Sequence, residues 1–344
     1  MAVRFAVVGC GKAAQRLAFP QLQSCQEATI VALVDTDRSA ASRAVRRLGL
    51  SQRAIWTNWK RMLREADVDA VAVCVPNDLH AEVTVASLRA KKHVIVEKPL
   101  ALTLADADAM IRAARANHRW LMVDQTQRFD PVHRVAQQAL ARGVIGKVTH
   151  CHGRLGHAGP EFWSGLKRSW FIDKRRSGGG ALIDVVIHIL DLLRWLSGKS
   201  VNRLCAHLAT REKRVAVEDY AGVLLEFTDG STGAFEASWT TRPYEMTTAF
   251  YGQRGTLRTT MGAVHPVTIQ CCDLTGDPNH LRGAEQYLAI PSPRRVQGAY
   301  VQFAQDIARR HAPLISGEDA RASLEVILAA YRSAQTGRWV ELPR

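Results

Sequence analysis

The sequence lacks any long apolar run, although apolar residues make up 47% of its 344 residues. A membrane-spanning helix needs roughly 18 consecutive apolar residues, and no stretch of the chain reaches that length. Internal repeats and low-complexity linkers are missing as well. The first residues, MAVRFAVVGCGKAA, run into a glycine loop where a signal peptide would have its cleavage site. We therefore expect a globular, cytoplasmic protein with no membrane partner.

Cysteine spacings typical of zinc sites are also lacking. The seven cysteines form no CxxC pair and no cluster with histidine. An odd, scattered set in a cytoplasmic chain indicates reduced thiols. The sequence therefore predicts neither a metal centre nor a disulfide framework.

Acidic residues are too few to balance the basic ones. The chain has 46 Lys and Arg against 32 Asp and Glu, which gives a formal net charge of +14. Such a charge is compatible with nucleic acid, a membrane surface or an anionic small molecule. The basic residues are mostly dispersed on helix-like stretches such as RSAASRAVRRLG, which favours a solvated surface and no nucleic-acid partner. One local basic cluster, LKRSWFIDKRR, lies at residues 166–176.

The chain is too long for one ordinary core and suits two domains. In residues 1–123, short apolar runs rich in valine and isoleucine, such as RFAVVG and TIVALVD, alternate with helical stretches such as HAEVTVASLRAKK. Alternating helices and continuously apolar strands are typical of a doubly wound parallel sheet covered on both faces. We predict an α/β domain over residues 1–123.

Residues 124–344 show a different order of predicted strands and helices. After the basic cluster and an apolar helix, several strand-like runs follow one another, and FTDGSTGAF is a hairpin signal. Successive strands imply a mostly antiparallel sheet. We predict an α+β substrate-binding and oligomerisation domain over 124–344, with C-terminal helices free to pack back on the first domain.

The first predicted strand continues into a GxGxxA pattern formed by Gly9, Gly11 and Ala14. In such a loop the first glycine permits a tight turn and the second lets the backbone approach a pyrophosphate. The small third residue lets the helix pack on the strand. The pattern predicts a Rossmann dinucleotide site, to which Lys12 and Ala13 of the same loop also belong.

The second predicted strand ends in Asp35, 21 residues after Ala14. A carboxylate there accepts hydrogen bonds from the adenosine ribose and repels a 2′-phosphate, which favours NAD over NADP. Arg38 weakens that preference. An alternative role, capping the following helix, suits Asp37 better than Asp35.

Two further predicted strands end in residues that suit the ligand-binding edge of a parallel sheet. AVAVCVP leads into Pro76 and Asn77, a turn that either contacts the cofactor or is a simple loop. HVIVEKPLAL contains Glu97, Lys98 and Pro99, where proline restricts the backbone. Lys98 either caps a helix or enters the site, and a cofactor at this edge favours the second interpretation.

GGGALIDVVIHILDLL, residues 178–193, is an apolar run interrupted only by Asp184, His188 and Asp191. On a helix, spacings of four and three residues place these side chains on one face. Since buried polar groups cost free energy unless paired, the helix either carries a structural polar seam or presents an acid–base pair. For a helix of unknown context a buried structural hydrogen bond is the more frequent arrangement. The three preceding glycines and the dinucleotide-site features favour a site for Asp184 and His188, and Asp191, one turn further on, suits a structural role.

These motifs occur in the order typical of one family, and over essentially its whole length the chain resembles the glucose–fructose oxidoreductase / inositol dehydrogenase / MocA (Gfo/Idh/MocA) family. The motifs that carry the resemblance are the GxGxxA loop, Pro76-Asn77 with His80, Glu97-Lys98-Pro99, QRFDP with Arg128, and GGGALIDVVIHILD.

The resemblance implies that Lys98, Asp184 and His188 surround nicotinamide and substrate. His188 would remove or return a hydroxyl proton, which requires a base near neutrality. Lys98 would orient and polarise the same oxygen, and Asp184 would bind a neighbouring hydroxyl or orient His188. The triple glycine would let the helix approach the nicotinamide end of the cofactor, which carries the hydride chemistry.

The predicted site residues form three sets. The catalytic residues are Lys98, Asp184 and His188. The cofactor-binding residues are Gly9, Gly11, Lys12, Ala13, Ala14, Asp35, Pro76, Asn77, His80, Glu97, Lys98 and Arg128. The substrate-binding residues are Lys98, Trp163, Trp170, Asp184 and His188.

Some positions depart from the family pattern or allow two interpretations. Val186 stands where the family typically has glycine, which affects packing. Phe171 stands where arginine often follows the tryptophan, and basic residues 174–176 are candidates to replace that cation. Trp163, Trp170 and Phe171 form either an aromatic wall for a sugar ring or ordinary core. Arg128 either binds a ligand or pairs with a carboxylate.

The sequence thus predicts an NAD(P)-dependent oxidoreductase acting on a ring hydroxyl or ketone of a sugar, cyclitol or amino-sugar derivative. The basic cluster suits a phosphorylated or nucleotide-linked sugar. The alternatives are an NAD-using glycosidase of the same family and a non-catalytic NAD-responsive sugar sensor, against which the intact Lys98, Asp184 and His188 argue. Because relatives commonly assemble through the open face of the second-domain sheet, we expect a homodimer or homotetramer.

Overall fold

The computed structural model describes residues 2–161, 169–271, 285–290 and 298–343. Contacts divide these residues into two compact units. The first unit contains residues 2–126, 175–178 and 298–324, and the second contains the remainder. The first unit therefore draws on three separate stretches of the chain.

Strands and helices account for most of the described chain. The strands are β1 Val3–Val8, β2 Ala28–Val34, β3 Ile55–Trp56, β4 Ala70–Val73, β5 His93–Glu97, β6 Leu121–Asp124, β7 Val148–Gly156, β8 Val201–Ala209, β9 Tyr220–Phe227, β10 Thr232–Ser238, β11 Glu245–Gly252, β12 Gly255–Thr260, β13 Val267–Cys271, β14 Gln286–Tyr287 and β15 Val340–Glu341. The helices are α1 Phe19–Ser24, α2 Arg38–Leu48, α3 Trp59–Glu65, α4 His80–Arg89, α5 Leu104–Ala116, α6 Pro131–Ala141, α7 Lys174–Ser177, α8 Ile187–Ser197, α9 Ala299–Arg309 and α10 Gly317–Thr336.

The first unit is built on a six-stranded sheet in the order β3-β2-β1-β4-β5-β6. Every neighbouring pair is parallel. All four residues of β4 are buried, as expected for a sheet covered on both faces. The predicted doubly wound parallel sheet is confirmed. Its strand order reverses between β1 and β4, and ligands of such sheets bind outside the carboxyl ends of the strands at this point.

Local capping explains where the helices of the first unit begin and end. The Asp37 carboxylate accepts the backbone N–H of Ser39 at 2.8 Å at the start of α2. Gly49 ends that helix in the left-handed conformation, with φ of 67°. Thr103 caps α5 by accepting the backbone N–H of Asp106 at 3.1 Å. These caps are short-range and readable from the sequence.

The second unit contains a nine-stranded sheet in the order β14-β13-β12-β11-β7-β10-β9-β8-β15. Only the β7–β10 pair is parallel among its described strands, which confirms the predicted mostly antiparallel sheet. β9 alternates between buried and more exposed residues, so one face of the sheet forms core. KVTHCHGRLG, which the sequence analysis left without an assignment, supplies β7 near the middle of the sheet.

The helix α8 packs closely on β7. A side chain at Gly153 would place its Cβ 2.5 Å from the Ile189 side chain, so only glycine permits this approach. The predicted hairpin is also confirmed, because β9 and β10 are antiparallel and joined at Asp229-Gly230, where Gly230 has φ of 81°. None of the helices in the described stretches is both apolar enough and long enough to cross a membrane.

Candidate active site

The glycine loop of the first unit is held against β4. Gly9 has φ of 95°, and a Cβ there would lie 2.3 Å from the carbonyl oxygen of Cys74, so the tight turn requires glycine. A Cβ at Gly11 would meet no atom within 4 Å. Lys12 beside it is exposed, and Ala14 is buried where the following helix, π-helical over Ala14–Ala18, packs on the sheet. The loop thus leaves open space beside its second glycine.

Asp35 holds this loop to the end of β2. One carboxylate oxygen accepts the backbone N–H of Cys10 at 2.9 Å, and the other accepts that of Asp37 at 2.9 Å. Asp37, and not Asp35, caps α2, as the sequence analysis favoured. Each Asp35 oxygen keeps a second lone pair, so the carboxylate has capacity for ribose hydroxyls.

The turn after β4 is anchored to a distant piece of the chain. The Asn77 side chain donates from Nδ2 to the carbonyl oxygen of Ser177 at 2.9 Å. Next to it, Asp78 pairs with Arg176 at 3.5 Å. Pro76 is half-buried at the start of the turn. Asn77 and Asp78 therefore hold Arg176, the last residue of the basic cluster, and Ser177 after it at the carboxyl edge of the parallel sheet.

His80 links two turns at that edge. Its fully buried ring places Nδ1 2.7 Å from the carbonyl oxygen of Pro99 and Nε2 3.0 Å from that of Val75. Burial lowers the pKa of His80 below its usual value, so the ring stays neutral and its single N–H donates to only one of the two carbonyl oxygens. His80 thus connects the turn after β4 to the Glu97-Lys98-Pro99 turn.

The Glu97-Lys98-Pro99 turn follows β5 directly. Glu97 and Pro99 are buried, whereas Lys98 between them is partly exposed. Tyr300 of α9 donates its hydroxyl hydrogen to Glu97 Oε1 at 2.9 Å. The turn therefore presents the lysine and withdraws its neighbours.

These features of the first unit fit a dinucleotide. The glycine loop lets a pyrophosphate approach the protein backbone closely, and the helix that follows the loop presents its first N–H groups there. Asp35 offers acceptors for a ribose. The described residues contain no group of histidine, cysteine or acidic side chains arranged to hold a metal ion.

In the second unit, the helix that bears the predicted catalytic pair is buried almost throughout. From Ala181 to Leu193, only Asp184 and His188 are not buried. The predicted helix is present, and its first part, Leu182–Val186, is π-helical before α8 begins. Such π turns are frequent at functional sites. Asp184 and His188 are thus the two partly exposed polar side chains of an otherwise buried stretch of helix.

Asp184 is held by a residue that the sequence analysis did not identify. Trp239, which follows β10 and is buried, donates its indole N–H to Asp184 Oδ2 at 3.1 Å. His157 also faces this carboxylate, with Nε2 4.0 Å from Oδ2. Because His157 Nδ1 accepts the backbone N–H of Gly159 at 3.0 Å, the neutral ring carries its hydrogen on Nε2. Both neighbours present N–H groups to Asp184.

Glu218 closes the start of the same helix. Its Oε1 accepts the backbone N–H groups of Gly180 at 2.8 Å and Leu182 at 3.1 Å. The same oxygen accepts the hydroxyl hydrogen of Tyr331 at 2.7 Å. A carboxylate at a helix N-terminus is favourable in charge as well as in hydrogen bonding.

Two of the three glycines make room for the protein's own atoms. A Cβ at Gly179 would lie 1.8 Å from the Tyr331 hydroxyl oxygen, and one at Gly180 would lie 1.9 Å from the Glu218 carbonyl oxygen. The described contacts therefore give Gly179 and Gly180 a packing role within the second unit.

Arg128 and Asp191 form a buried ion pair. Arg128 donates from Nε to Asp191 Oδ2 at 2.7 Å and from a terminal nitrogen to Oδ1 at 2.6 Å. The Arg128 side chain is 5% exposed and the Asp191 side chain 1%, and the guanidinium lies over Trp195. Of the two interpretations of Arg128, the structure shows the carboxylate pair, and Asp191 has the structural setting expected for it.

Trp170 and Phe171 form a stacked pair with ring centroids 4.0 Å apart, and both are half-buried. Neither is ordinary buried core. Trp163 and the basic residues Lys167 and Arg168 lie outside the described residues.

Four residues that lie beside the predicted site residues, or support the helix that carries them, were not predicted from the sequence. Asp124 had a usable signal, because WLMVDQ is an apolar run whose aspartate falls at the same strand edge as Glu97. Trp239, Glu218 and Tyr331 had none, because they are far in sequence from the residues they contact.

Comparisons with known proteins match both parts of the chain. Residues 3–125 match a family model described as "Oxidoreductase family, NAD-binding Rossmann fold". Residues 133–258 match the GFO/IDH/MocA C-terminal domain.

Individual relatives agree with these matches. The chain is 31% identical to 1,5-anhydro-D-fructose reductase of Ensifer adhaerens over 83% of each chain. It is 28% identical to myo-inositol 2-dehydrogenase of Thermotoga maritima over 99% of this chain and 98% of that one. The crystal structure of aldose-aldose oxidoreductase from Caulobacter crescentus, complexed with glycerol, has a TM-score of 0.86 at 26% identity and covers 99% of this chain and 100% of its own.

The resemblance predicted from the motifs is confirmed by these matches. The parallel sheet with its glycine loop and the mostly antiparallel second sheet correspond to the two matched family domains. The chain is an NAD(P)-dependent oxidoreductase that belongs to the Gfo/Idh/MocA family.

Proposed function

We propose that the protein transfers hydride between nicotinamide and a ring carbon of a sugar, cyclitol or amino-sugar derivative, as a dehydrogenase or ketoreductase. The names of its relatives support this substrate class, since they include an anhydrofructose reductase and an inositol dehydrogenase. The observation that carries the proposal is the partial exposure of Asp184 and His188 on a helix that is otherwise buried from Ala181 to Leu193.

His188 is the proposed acid–base group. Oxidation of a secondary alcohol releases a hydroxyl proton as hydride leaves the carbon, and imidazole accepts protons near neutrality. Lys98, partly exposed between two buried neighbours, is the proposed cation that stabilises the developing alkoxide. Nicotinamide, when bound, supplies the hydride acceptor or donor.

Asp184 is the proposed substrate-orienting group. The indole N–H of Trp239 fixes one oxygen of the Asp184 carboxylate, and the carboxylate so held is proposed to accept a substrate hydroxyl or to orient His188. Substrate contact is also proposed for Trp170, since its stacked, half-buried ring pair offers an apolar face to a sugar ring. Basic residues 174–176 favour a substrate with a phosphate or a nucleotide link.

NAD is the proposed physiological cofactor. Both oxygens of Asp35 are tied to backbone N–H groups, so the carboxylate stays where a 2′-phosphate would meet its charge. The same proposal gives cofactor contacts to the glycine loop and to Pro76 and Asn77 of the turn after β4. His80, Glu97 and Arg128 are proposed to act indirectly, through the residues that they hydrogen-bond or adjoin. We expect a lower KM for NAD than for NADP with the same substrate.

The direct test is an oxidation screen of sugars, cyclitols and amino sugars with NAD and NADP in parallel, monitored by nicotinamide absorbance. We expect NADH formation with at least one compound, and a loss of roughly 10²-fold or more in kcat/KM for His188→Ala and Lys98→Ala. Matched controls are His311→Ala and Lys60→Ala, which change the same residue types at exposed positions. If His188→Ala and Lys98→Ala kept full activity, the proposed roles would be wrong.

We also propose that the protein is a cytoplasmic homodimer or homotetramer that associates through the exposed face of the second sheet. A groove on this face is lined by His152, Arg154, His207, Leu224 and Arg258, and Leu224 is 57% exposed. Light scattering of the wild type and of Leu224→Glu tests this, and we expect the variant to dissociate. An unchanged mass would contradict this assembly mode.

A further inference from the structure

Two acidic side chains lie side by side inside the first unit. β5 and β6 are parallel neighbours, and their last residues, Glu97 and Asp124, are directly opposite each other in register. Glu97 is 8% exposed and Asp124 is 0% exposed. Two adjacent carboxylates with so little access to water cannot both ionise at low cost, because their charges repel and are poorly solvated.

The surrounding hydrogen bonds decide which carboxyl keeps its charge. Tyr300 has one hydroxyl hydrogen and donates it to Glu97 Oε1 at 2.9 Å. The buried oxygens of Asp124 accept no hydrogen bond from the described part of the chain. A protonated Asp124 can instead donate to Glu97. The negative charge is therefore stabilised on Glu97, and the proton is stabilised on Asp124.

Electrostatics within the unit agree with this assignment. Burial raises the pKa of Asp124 well above its usual value, and the charge of Glu97 raises it further. Burial also raises the pKa of Glu97, but the Tyr300 hydroxyl and the Lys98 ammonium oppose that shift. The thiol of Cys74, 3.5 Å from the Tyr300 oxygen, is neutral because burial raises its pKa well above the usual value. Glu97 is thus the ionised member of the pair, and Lys98, the next residue along the chain, is the cation whose charge acts on it.

We propose that Glu97 and Asp124 form a buried pair that shares one proton and carries one negative charge, and that this charge positions Lys98. Neutralising Glu97 would remove a negative charge that acts on the neighbouring lysine, and ionising both acids would place a second charge in the core. Glu97 and Asp124 are positioning residues, since they act through Lys98. The role of Lys98 on substrate rests on the proposed function, whereas the protonation of the pair does not.

The protonation of the pair is tested without turnover. In carbon-13 NMR of the full-length protein labelled at aspartate and glutamate carboxyls, we expect one aspartate resonance to keep the shift of a protonated acid at neutral pH. That resonance should be absent from Asp124→Asn. A protonated glutamate resonance that disappears in Glu97→Gln would overturn the assignment, as would a spectrum with every carboxyl ionised.

The positioning of Lys98 is tested on the same protein. Reductive methylation with carbon-13 formaldehyde labels the lysines, and Lys98→Arg identifies the Lys98 resonance. We expect Glu97→Gln to shift that resonance and Asp124→Asn to leave it nearly unchanged, because the asparagine amide still donates to Glu97. Equal shifts in the two variants, or none in either, would contradict the proposal.

Kinetics with the compound found by the oxidation screen provide the third readout. We expect Glu97→Gln and Asp124→Leu to lower kcat by about 10-fold or more with little change in KM for NAD. Asp124→Asn should recover most of the activity that Asp124→Leu loses. Circular dichroism melting checks that each variant is folded, and loss of activity without this pattern of recovery would indicate a merely structural role. If no sugar is oxidised, the proposed function fails. The two NMR experiments still determine which carboxyl of the pair is protonated and whether Glu97 affects Lys98.

Discussion

The two units hold their candidate site residues in different ways. In the first unit, these residues sit at strand ends and in the turns that follow, and backbone groups fix many of them. Asp35 binds two backbone N–H groups, and His80 contacts two backbone carbonyls. In the second unit, Asp184 opens from a buried helix and is fixed by a side chain 55 residues away, Trp239.

The difference shows which features of the two sites are local in the sequence and which depend on long-range packing. A strand end, a turn and a spacing of about 20 residues are local features that recur wherever a parallel sheet binds a dinucleotide. The setting of a polar side chain on an apolar helix depends on which distant strand or loop packs against it. Substitutions in the first unit should therefore act through turns, and those in the second through partner side chains.

The largest expected effect is at the buried ion pair of the second unit. Asp191→Ala leaves the Arg128 guanidinium buried without its carboxylate, which should cost about 3–5 kcal/mol in the free energy of unfolding. Urea unfolding followed by circular dichroism measures it. The double variant Arg128→Met/Asp191→Leu should recover much of the loss, because it removes both charges. A loss below about 1 kcal/mol in Asp191→Ala would show that the pair is not essential to this unit.

The next effect distinguishes the two glycines of the GxGxxA loop, Gly9 and Gly11. Gly9→Ala forces a Cβ to 2.3 Å from the Cys74 carbonyl at a φ of 95°, and should lower the free energy of unfolding by about 2 kcal/mol or more. Gly11→Ala, the matched control, meets nothing within 4 Å and should leave stability nearly unchanged while raising the Kd for NADH. Thermal melting and fluorescence titration with NADH measure the two effects. Equal destabilisation by both variants would contradict this division of roles.

A smaller effect is expected at Glu218. Glu218→Gln keeps the size of the side chain but removes the charge that accepts three donors, and should cost about 1–3 kcal/mol. Tyr331→Phe removes one of those donors and should cost about 1 kcal/mol. Both are measured by urea unfolding. A change in stability without any fall in kcat would show that Glu218 supports the second unit but does not orient Asp184 or His188.

The smallest effect concerns pH and His80. Because burial lowers the folded-state pKa of His80, the unfolded chain takes up a proton below about pH 6.5 that the folded chain does not. The His80 contribution to stability is therefore present above that pH and declines as pH falls towards the folded-state value, by at most about 1.4 kcal/mol per pH unit. Unfolding measured between pH 5 and 8 should show this decline in the wild type and a weaker one in His80→Gln. Parallel curves would contradict it.

Much of the fold was predictable, because its signals are local. Continuous apolar strands indicated the parallel sheet, and Asp229-Gly230 indicated the hairpin. β7 was not predicted because KVTHCHGRLG contains two histidines and two glycines and lacks the clear alternation of apolar and polar residues seen in neighbouring strands. The π-helical start of the Asp184 helix was also missed, because apolar spacing does not distinguish a π turn from an α turn.

The sequence by itself determined the family, the two kinds of sheet and the positions of the motif residues. Strand ends, glycine loops and motif spacings depend on residues that are close together in the chain. Only the tertiary structure decided what surrounds them. It separated Asp184 and His188, which open from their helix, from Asp191, which is buried on Arg128. It also placed Asp124 beside Glu97, because register between strands is set by packing across the whole sheet and not by either strand alone.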